Sequence, residues 1–152
     1  MAWLIIICSI LLDRISKILV ISNMTETQSM PLIKGIFEIK YVLNDGIAFG
    51  LFEGNNLLIT IIVALAIGGI AFYMVKDKGL TKKEKVFLSF VIGGAIGNIM
   101  DRLLYNAVID YLYISLINFP IFNIADIFVC TGIVGLIYLI IFNKVEVKSE
   151  NA

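Results

Sequence analysis

Residues 57–75 read LLITIIVALAIGGIAFYMV, a run without one charged side chain. A helix needs roughly 20 apolar residues to cross the hydrocarbon core of a bilayer, and this run has that length. Working outward from it, residues 2–21, 86–104 and 124–142 come close to the same standard. The chain has 152 residues and is 60% hydrophobic, whereas a soluble domain is nearer half apolar. So short a soluble chain cannot hide that much apolar surface. The sequence predicts an all-α membrane protein: one domain, residues 1–152, with four transmembrane helices.

Lysine placement predicts the orientation. Residues 76–85 carry Lys76, Lys78, Lys82, Lys83 and Lys85, and residues 143–152 carry Lys144 and Lys148, while residues 105–123 have no Lys or Arg. Basic loops stay on the cytoplasmic side. The lysine loop, the tail and the N-terminus are therefore expected in the cytoplasm, and residues 22–56 and 105–123 outside. The first span has no basic leader and is interrupted by Asp13, Arg14 and Lys17, which fits a retained span better than a cleaved signal.

The outer segments have structure of their own. In Phe37-Glu38-Ile39-Lys40-Tyr41-Val42-Leu43 the apolar residues Phe37, Ile39, Tyr41 and Leu43 alternate, as one buried face of a strand requires. Asn44-Asp45-Gly46 then signals a turn. Residues 22–29 read as a polar loop, punctuated further on by Pro31 and Gly35. A small extracytoplasmic β platform on the outer membrane surface is expected, with a short Tyr-rich interfacial helix around residues 108–117. Cys8 and Cys130 fall at different depths, so they are expected to be small buried hydrophobes and not a disulfide.

Histidine is absent and the formal net charge is zero. Ser–His and Cys–His nucleophile pairs and His-rich metal sites are thereby excluded, and no basic excess points to nucleic acid. Proton transfer is left to Asp, Glu, Lys, Tyr, Cys or water. Ionisable groups inside a membrane cost roughly 2.5–3.5 kcal/mol each at a helix centre, yet Asp13, Arg14, Lys17, Asp101, Arg102, Asp110 and Asp126 all lie in or beside the spans, joined by Asn44, Asn98 and Asn123. The topology puts all of them in the outer half of the membrane or at its outer surface, as one shared polar site requires. Asn98, Asp101 and Arg102, spaced three and four apart, share a helix face. Asp13 and Lys17, four apart, can pair and lower their burial cost. Gly93, Gly94 and Gly97 let a second helix approach. A small transporter or proton-conducting module is the alternative class. It requires polar groups at several depths, and the second span is bare of charge. A structural subunit of a larger complex does not account for the clustering.

These residues fall into five strings. They are Asp13-Arg14-Ile15-Ser16-Lys17; Asn44-Asp45-Gly46-Ile47-Ala48-Phe49-Gly50; Gly93-Gly94-Ala95-Ile96-Gly97-Asn98-Ile99-Met100-Asp101-Arg102; Val108-Ile109-Asp110-Tyr111; and Phe122-Asn123-Ile124-Ala125-Asp126 with Gly132 beyond. In this order and topology the chain resembles the lipoprotein signal peptidase (signal peptidase II) family from end to end, Tyr111 standing where Phe is commoner. The resemblance implies an aspartic endopeptidase of the bacterial cell membrane, sensitive to globomycin. Such an enzyme removes the signal peptide of prolipoproteins just before a cysteine that carries diacylglycerol. It also implies Asp110 and Asp126 as the catalytic pair, with Asn44, Asn98, Arg102 and Asn123 lining the site. Asp101, Asp13 and Lys17 are expected to support it. No cofactor or metal is expected, membrane lipids and prolipoproteins are the expected partners, and a monomer is the default state. Phe49, Leu51 and Phe52 would either pack in the membrane interface or grip the signal helix and acyl chains.

Two aspartates suffice for such chemistry. Two carboxylates held close cannot both ionise cheaply, so they share a proton. The ionised one deprotonates a water, and the protonated one polarises the carbonyl and helps protonate the leaving amine.

Overall fold

The computed structural model describes residues 1–46 and 54–150, with side chains up to residue 142. Four helices and a three-stranded sheet follow in the order α1 (Ala2–Asn23), β1 (Ser29–Ile33), β2 (Phe37–Asn44), α2 (Asn56–Lys76), α3 (Lys82–Tyr105), β3 (Val108–Tyr113), a 3-10 turn (Ser115–Ile117) and α4 (Ile124–Glu150). Three of these helices, α2, α3 and residues Ile124–Phe142 of α4, are long and apolar enough to cross a membrane. Asp13, Arg14 and Lys17 set α1 apart from them.

Helix α3 is the centre of the molecule, packed by α1, α2 and α4. Its small residues explain why. A Cβ at Gly93 would collide with Ser9 and Ile6 of α1, and one at Gly94 with the Ala125 carbonyl of α4. Ile6, Ile67, Met74, Leu88, Val91, Ile92 and Ala95 fill the core between the helices. The outward faces stay apolar and exposed: Trp3, Leu4, Ile7, Leu11, Ile15 and Leu19 on α1, and Leu57, Ile62, Leu65 and Phe72 on α2. A reciprocal cap starts α3: Glu84 N–H donates to Thr81 Oγ1 at 3.2 Å and Thr81 N–H donates to Glu84 Oε2 at 2.7 Å. Left-handed Asn106 (φ 58°) stops it.

The sheet lies at the end of the bundle where α1 and α3 finish and α2 and α4 begin, in the order β1-β2-β3, all antiparallel. The expected strand is β2, and its Ile39, Tyr41 and Leu43 face a second core with Val20, Ile109 and Tyr111. Pro31, read as punctuation, lies inside β1. That is an edge strand, where a missing N–H costs least.

The expected interfacial helix at residues 108–117 is not there. Val108–Tyr113 is strand β3, and only Ser115–Ile117 forms a helical turn. Val108, Ile109, Tyr111 and Tyr113 are β-branched or aromatic and suit a pleated surface, and β2 offers them a partner. The two cysteines are free, but both are exposed and not buried, because their helix faces turn outward. Ile47, Ala48, Phe49, Gly50, Leu51 and Phe52 lie outside the described residues.

Candidate active site

Beyond the 3-10 turn the chain doubles back. Phe122 N–H donates to the Leu112 carbonyl at 3.0 Å, and the Phe122 carbonyl accepts from Tyr111 and Leu112 N–H at 3.0 and 2.7 Å. This return brings Asn123 and the first turn of α4 against β3, so Asp110 and Asp126 enter one site despite their separation in sequence.

Asp110 is 3% exposed. Its carboxylate accepts from Asn44 Nδ2 at 2.8 Å and Asn123 Nδ2 at 2.7 Å. Asp126 is half-buried, and accepts from Asn98 Nδ2 at 2.8 Å and from the backbone N–H of Asn123 at 3.0 Å. Asn123 therefore touches both carboxylates. Its Oδ1 accepts from Asp126 N–H at 3.0 Å, and its Nδ2 also reaches Asn98 Oδ1 at 3.1 Å. Burial above all, and then the charge of Asp126, push the Asp110 carboxyl up to about 7, against the pull of the Asn44 and Asn123 hydrogen bonds. A carboxyl held near neutrality beside a second carboxylate can exchange a proton at physiological pH.

Beneath this pair lies a cluster of four charges. Lys17 Nζ meets Asp13 Oδ2 at 2.8 Å and Asp101 Oδ2 at 2.7 Å, and all three side chains are fully buried. Arg14 pairs with Asp101. Each aspartate also holds backbone: Asp13 Oδ1 accepts from Ala125 N–H at 3.1 Å and Asp101 Oδ2 from Ile109 N–H at 3.2 Å. Ala125 and Ile109 immediately precede Asp126 and Asp110. Gly97 makes room for this, since a Cβ there would stand 2.5 Å from Asp13 Oδ2.

Thus Asp110, Asp126, Asn44, Asn98 and Asn123 form one hydrogen-bonded group, with Asp13, Lys17 and Asp101 directly behind it. Arg102 stands apart from direct bonding to either carboxylate. Its Nη2 donates to the Gly46 carbonyl at 3.0 Å, while its buried Nε has no partner among the described residues. Sequence reasoning passed over Asn56. Its Nδ2 donates to the Arg102 carbonyl at 3.2 Å and Asn106 Oδ1 at 2.9 Å, tying α2 to the end of α3. The one signal was a polar residue at the head of an apolar run. Arg14 was counted among the costly charges but given no role, and the amides of Ile109 and Ala125 carry no side-chain signature at all. Among the described residues no three acidic or thiol side chains gather as a metal site. Asp13 and Asp101 are neutralised by Lys17 and Arg14 instead.

Residues 5–142 match the profile of signal peptidase (SPase) II. The lipoprotein signal peptidase of Clostridium acetobutylicum is 37% identical over 93% of this chain and 92% of that protein. That of Clostridium tetani is 39% identical over 93% and 92%, and that of Halalkalibacterium halodurans 39% over 90% and 88%. A solved bacterial membrane enzyme superposes with a TM-score of 0.88 at 26% identity, covering 94% of this chain and 88% of that one. A second gives 0.83 at 27%, covering 91% of each.

Proposed function

Since the chain belongs to the signal peptidase II family of aspartic endopeptidases, we propose that it cuts prolipoproteins just before a diacylglyceryl-modified cysteine, with Asp110 and Asp126 sharing the proton that the reaction moves. The observation that carries this reading is Asn123, which donates to Asp110 through its side chain and to Asp126 through its backbone. One residue thereby registers two acidic groups against each other. Burial favours the neutral form of Asp110, so Asp110 holds the shared proton and polarises the scissile carbonyl, while Asp126 activates the attacking water. The tetrahedral intermediate then collapses as the proton passes to the leaving amine. Arg102, Asn44 and Asn98 line the approach.

In the same reading α1 is a fourth span. Its charged side chains turn inward against α3, and its exposed face is apolar. The sheet end of the bundle faces outward, because the lysines of residues 76–85 gather at the opposite end. Both termini are then cytoplasmic, the site lies near the outer leaflet, and a monomer in contact with membrane lipids does the work.

The test is cleavage of a diacylglyceryl-modified prolipoprotein by the purified chain in detergent, followed by gel shift with chelator present. Wild type is expected to cut, and folded Asp110→Asn and Asp126→Asn to be inert. Near-normal turnover by either variant would remove that residue from the pair. Equal cutting of unmodified precursor would remove the lipid requirement.

A further inference from the structure

The amide side chains of Asn123 and Asn98 have their orientation set by groups that can only donate. A backbone N–H has no acceptor, so Asp126 N–H must face the oxygen of Asn123, and the Asn123 NH2 is left facing Asp110. An ammonium has no acceptor either. Lys17 Nζ lies 3.0 Å from Asn98 Oδ1, so the Asn98 NH2 is turned to Asp126 Oδ1, 2.8 Å away. Asn123 Nδ2 also reaches Asn98 Oδ1. It has two hydrogens for three acceptors, however, the others being Asp110 Oδ1 and the Ile109 carbonyl. Lys17 has three hydrogens, and with Asp13 and Asp101 taking one each, the third is left for Asn98.

We infer that Lys17 is a positioning residue for the cleavage reaction: beyond balancing the buried charges, it locks the Asn98 amide so that its NH2, and not its oxygen, meets Asp126. Released, the amide can turn its oxygen to the carboxylate, which disfavours the ionised form that a water-activating group needs. The inference rests on Asp110 and Asp126 being the reacting pair.

Around Lys17 and the pair stand Asp13 and Arg14 from α1, Asp101 and Arg102 from α3, Asp110 and Tyr111 from β3, and Asp126 from α4. Removing Lys17 alone would leave two buried carboxylates with one cation. The informative variant is Asp13→Asn/Lys17→Met, which keeps Asp101 with Arg14 and keeps an oxygen for Ala125 N–H. Asp101→Asn/Lys17→Met is its counterpart, keeping Asp13 with Arg14 and an oxygen for Ile109 N–H.

The experiment measures kcat, KM and the pH profile of prolipoprotein cleavage in detergent, with thermal unfolding alongside. The variants are wild type, Asn98→Ala, the two balanced pairs, and each pair combined with Asn98→Ala. Both balanced pairs should fold and lose about 10- to 100-fold in kcat with little change in KM, as small misplacements of reacting groups do. The acid limb of kcat should move to higher pH. Adding either pair to Asn98→Ala should cost little more, because one contact cannot be lost twice. Losses that multiply, a folded pair with near-wild-type kcat, or failure of both pairs to fold would overturn the inference and leave Lys17 with assembly alone. Turnover by Asp110→Asn or Asp126→Asn would instead overturn the assignment of the reacting pair.

Discussion

Asn123 and Asp126 cap α4 for each other: Asp126 N–H donates to Asn123 Oδ1 and Asn123 N–H donates to Asp126 Oδ2, both at 3.0 Å. Thr81 and Glu84 do the same for α3. A device that ordinarily only starts a helix here also fixes the direction of one of the two carboxylates proposed to react.

Structure and catalysis therefore separate at Asn123. Asn123→Ser keeps a capping oxygen but loses the NH2 that reaches Asp110, whereas Asn123→Ala loses both. The alanine variant should lose about 1–2 kcal/mol of stability, the usual worth of an N-cap, and the serine variant less. Cleavage should fall sharply in both, since both leave Asp110 without its 2.7 Å donor. Thermal unfolding and initial rates on the two proteins check this. A serine variant with full activity would show that the cap alone matters.

The raised Asp110 carboxyl gives pH dependence of definite sign. Its folded value of about 7 lies above the unfolded carboxylate range, so between roughly pH 4 and 7 the folded chain holds a proton that the unfolded chain has released. Stability then falls as pH rises through that window and levels off above it. Asp110→Asn should abolish this slope, gaining on wild type as pH increases. Cleavage by wild type should also decline above about pH 7, where the shared proton is lost. Unfolding in detergent across pH 4.5 to 8 and a rate profile over the same range would show both trends.

How much was legible in the sequence follows from what each signal measures. Apolar runs and the alternation of residues 37–43 report burial directly, so the helices and β2 were readable. Burial in lipid and burial in protein look alike in sequence, and Cys8 and Cys130 were accordingly assigned to the interior when they face out. Residues 108–117 read as a helix because tyrosines at an interface fit either element; the partner of β3, strand β2, lies some 66 residues earlier along the Asn44–Asp110 contact, beyond any local pattern. The site's acids were conspicuous because charge is costly there. The amides of Ala125 and Ile109, which Asp13 and Asp101 hold, left no trace, since every residue but proline has one.

Close approach at Gly97 makes a clean contrast with Gly68. A methyl group at Gly97 would stand 2.5 Å from Asp13 Oδ2, while one at Gly68 would meet nothing within 4 Å. Gly97→Ala should force α1 from α3, cost about 1–3 kcal/mol as overpacking does, and depress cleavage by disturbing Asp13 and Ala125. Gly68→Ala should be neutral, or stabilising by up to about 1 kcal/mol from helix propensity. Thermal unfolding of the two variants decides it, and equal effects would rule out the steric account.

Tyr111 offers a test that separates a hydroxyl from the ring that carries it. Its hydroxyl donates to Ser16 Oγ at 2.6 Å, and Ser16 Oγ donates onward to the Asp13 carbonyl at 2.7 Å, so β3 is tied to the turn of α1 that carries the buried charges. Burial pushes the phenol up to about 12, so Tyr111 remains a neutral donor throughout the working range. Tyr111→Phe removes the hydroxyl and keeps the ring among Val20, Tyr41 and Ile109. Ser16 keeps its bond to Asp13 and loses only a donor. The expected loss is about 1 kcal/mol, the net worth of one hydrogen bond, with cleavage near wild type because Tyr111 touches neither carboxylate. Denaturant unfolding and kcat measured together separate the outcomes. A large fall in kcat at nearly unchanged stability would show that the Ser16 tether, and not the packing of the ring, holds Asp110 in place.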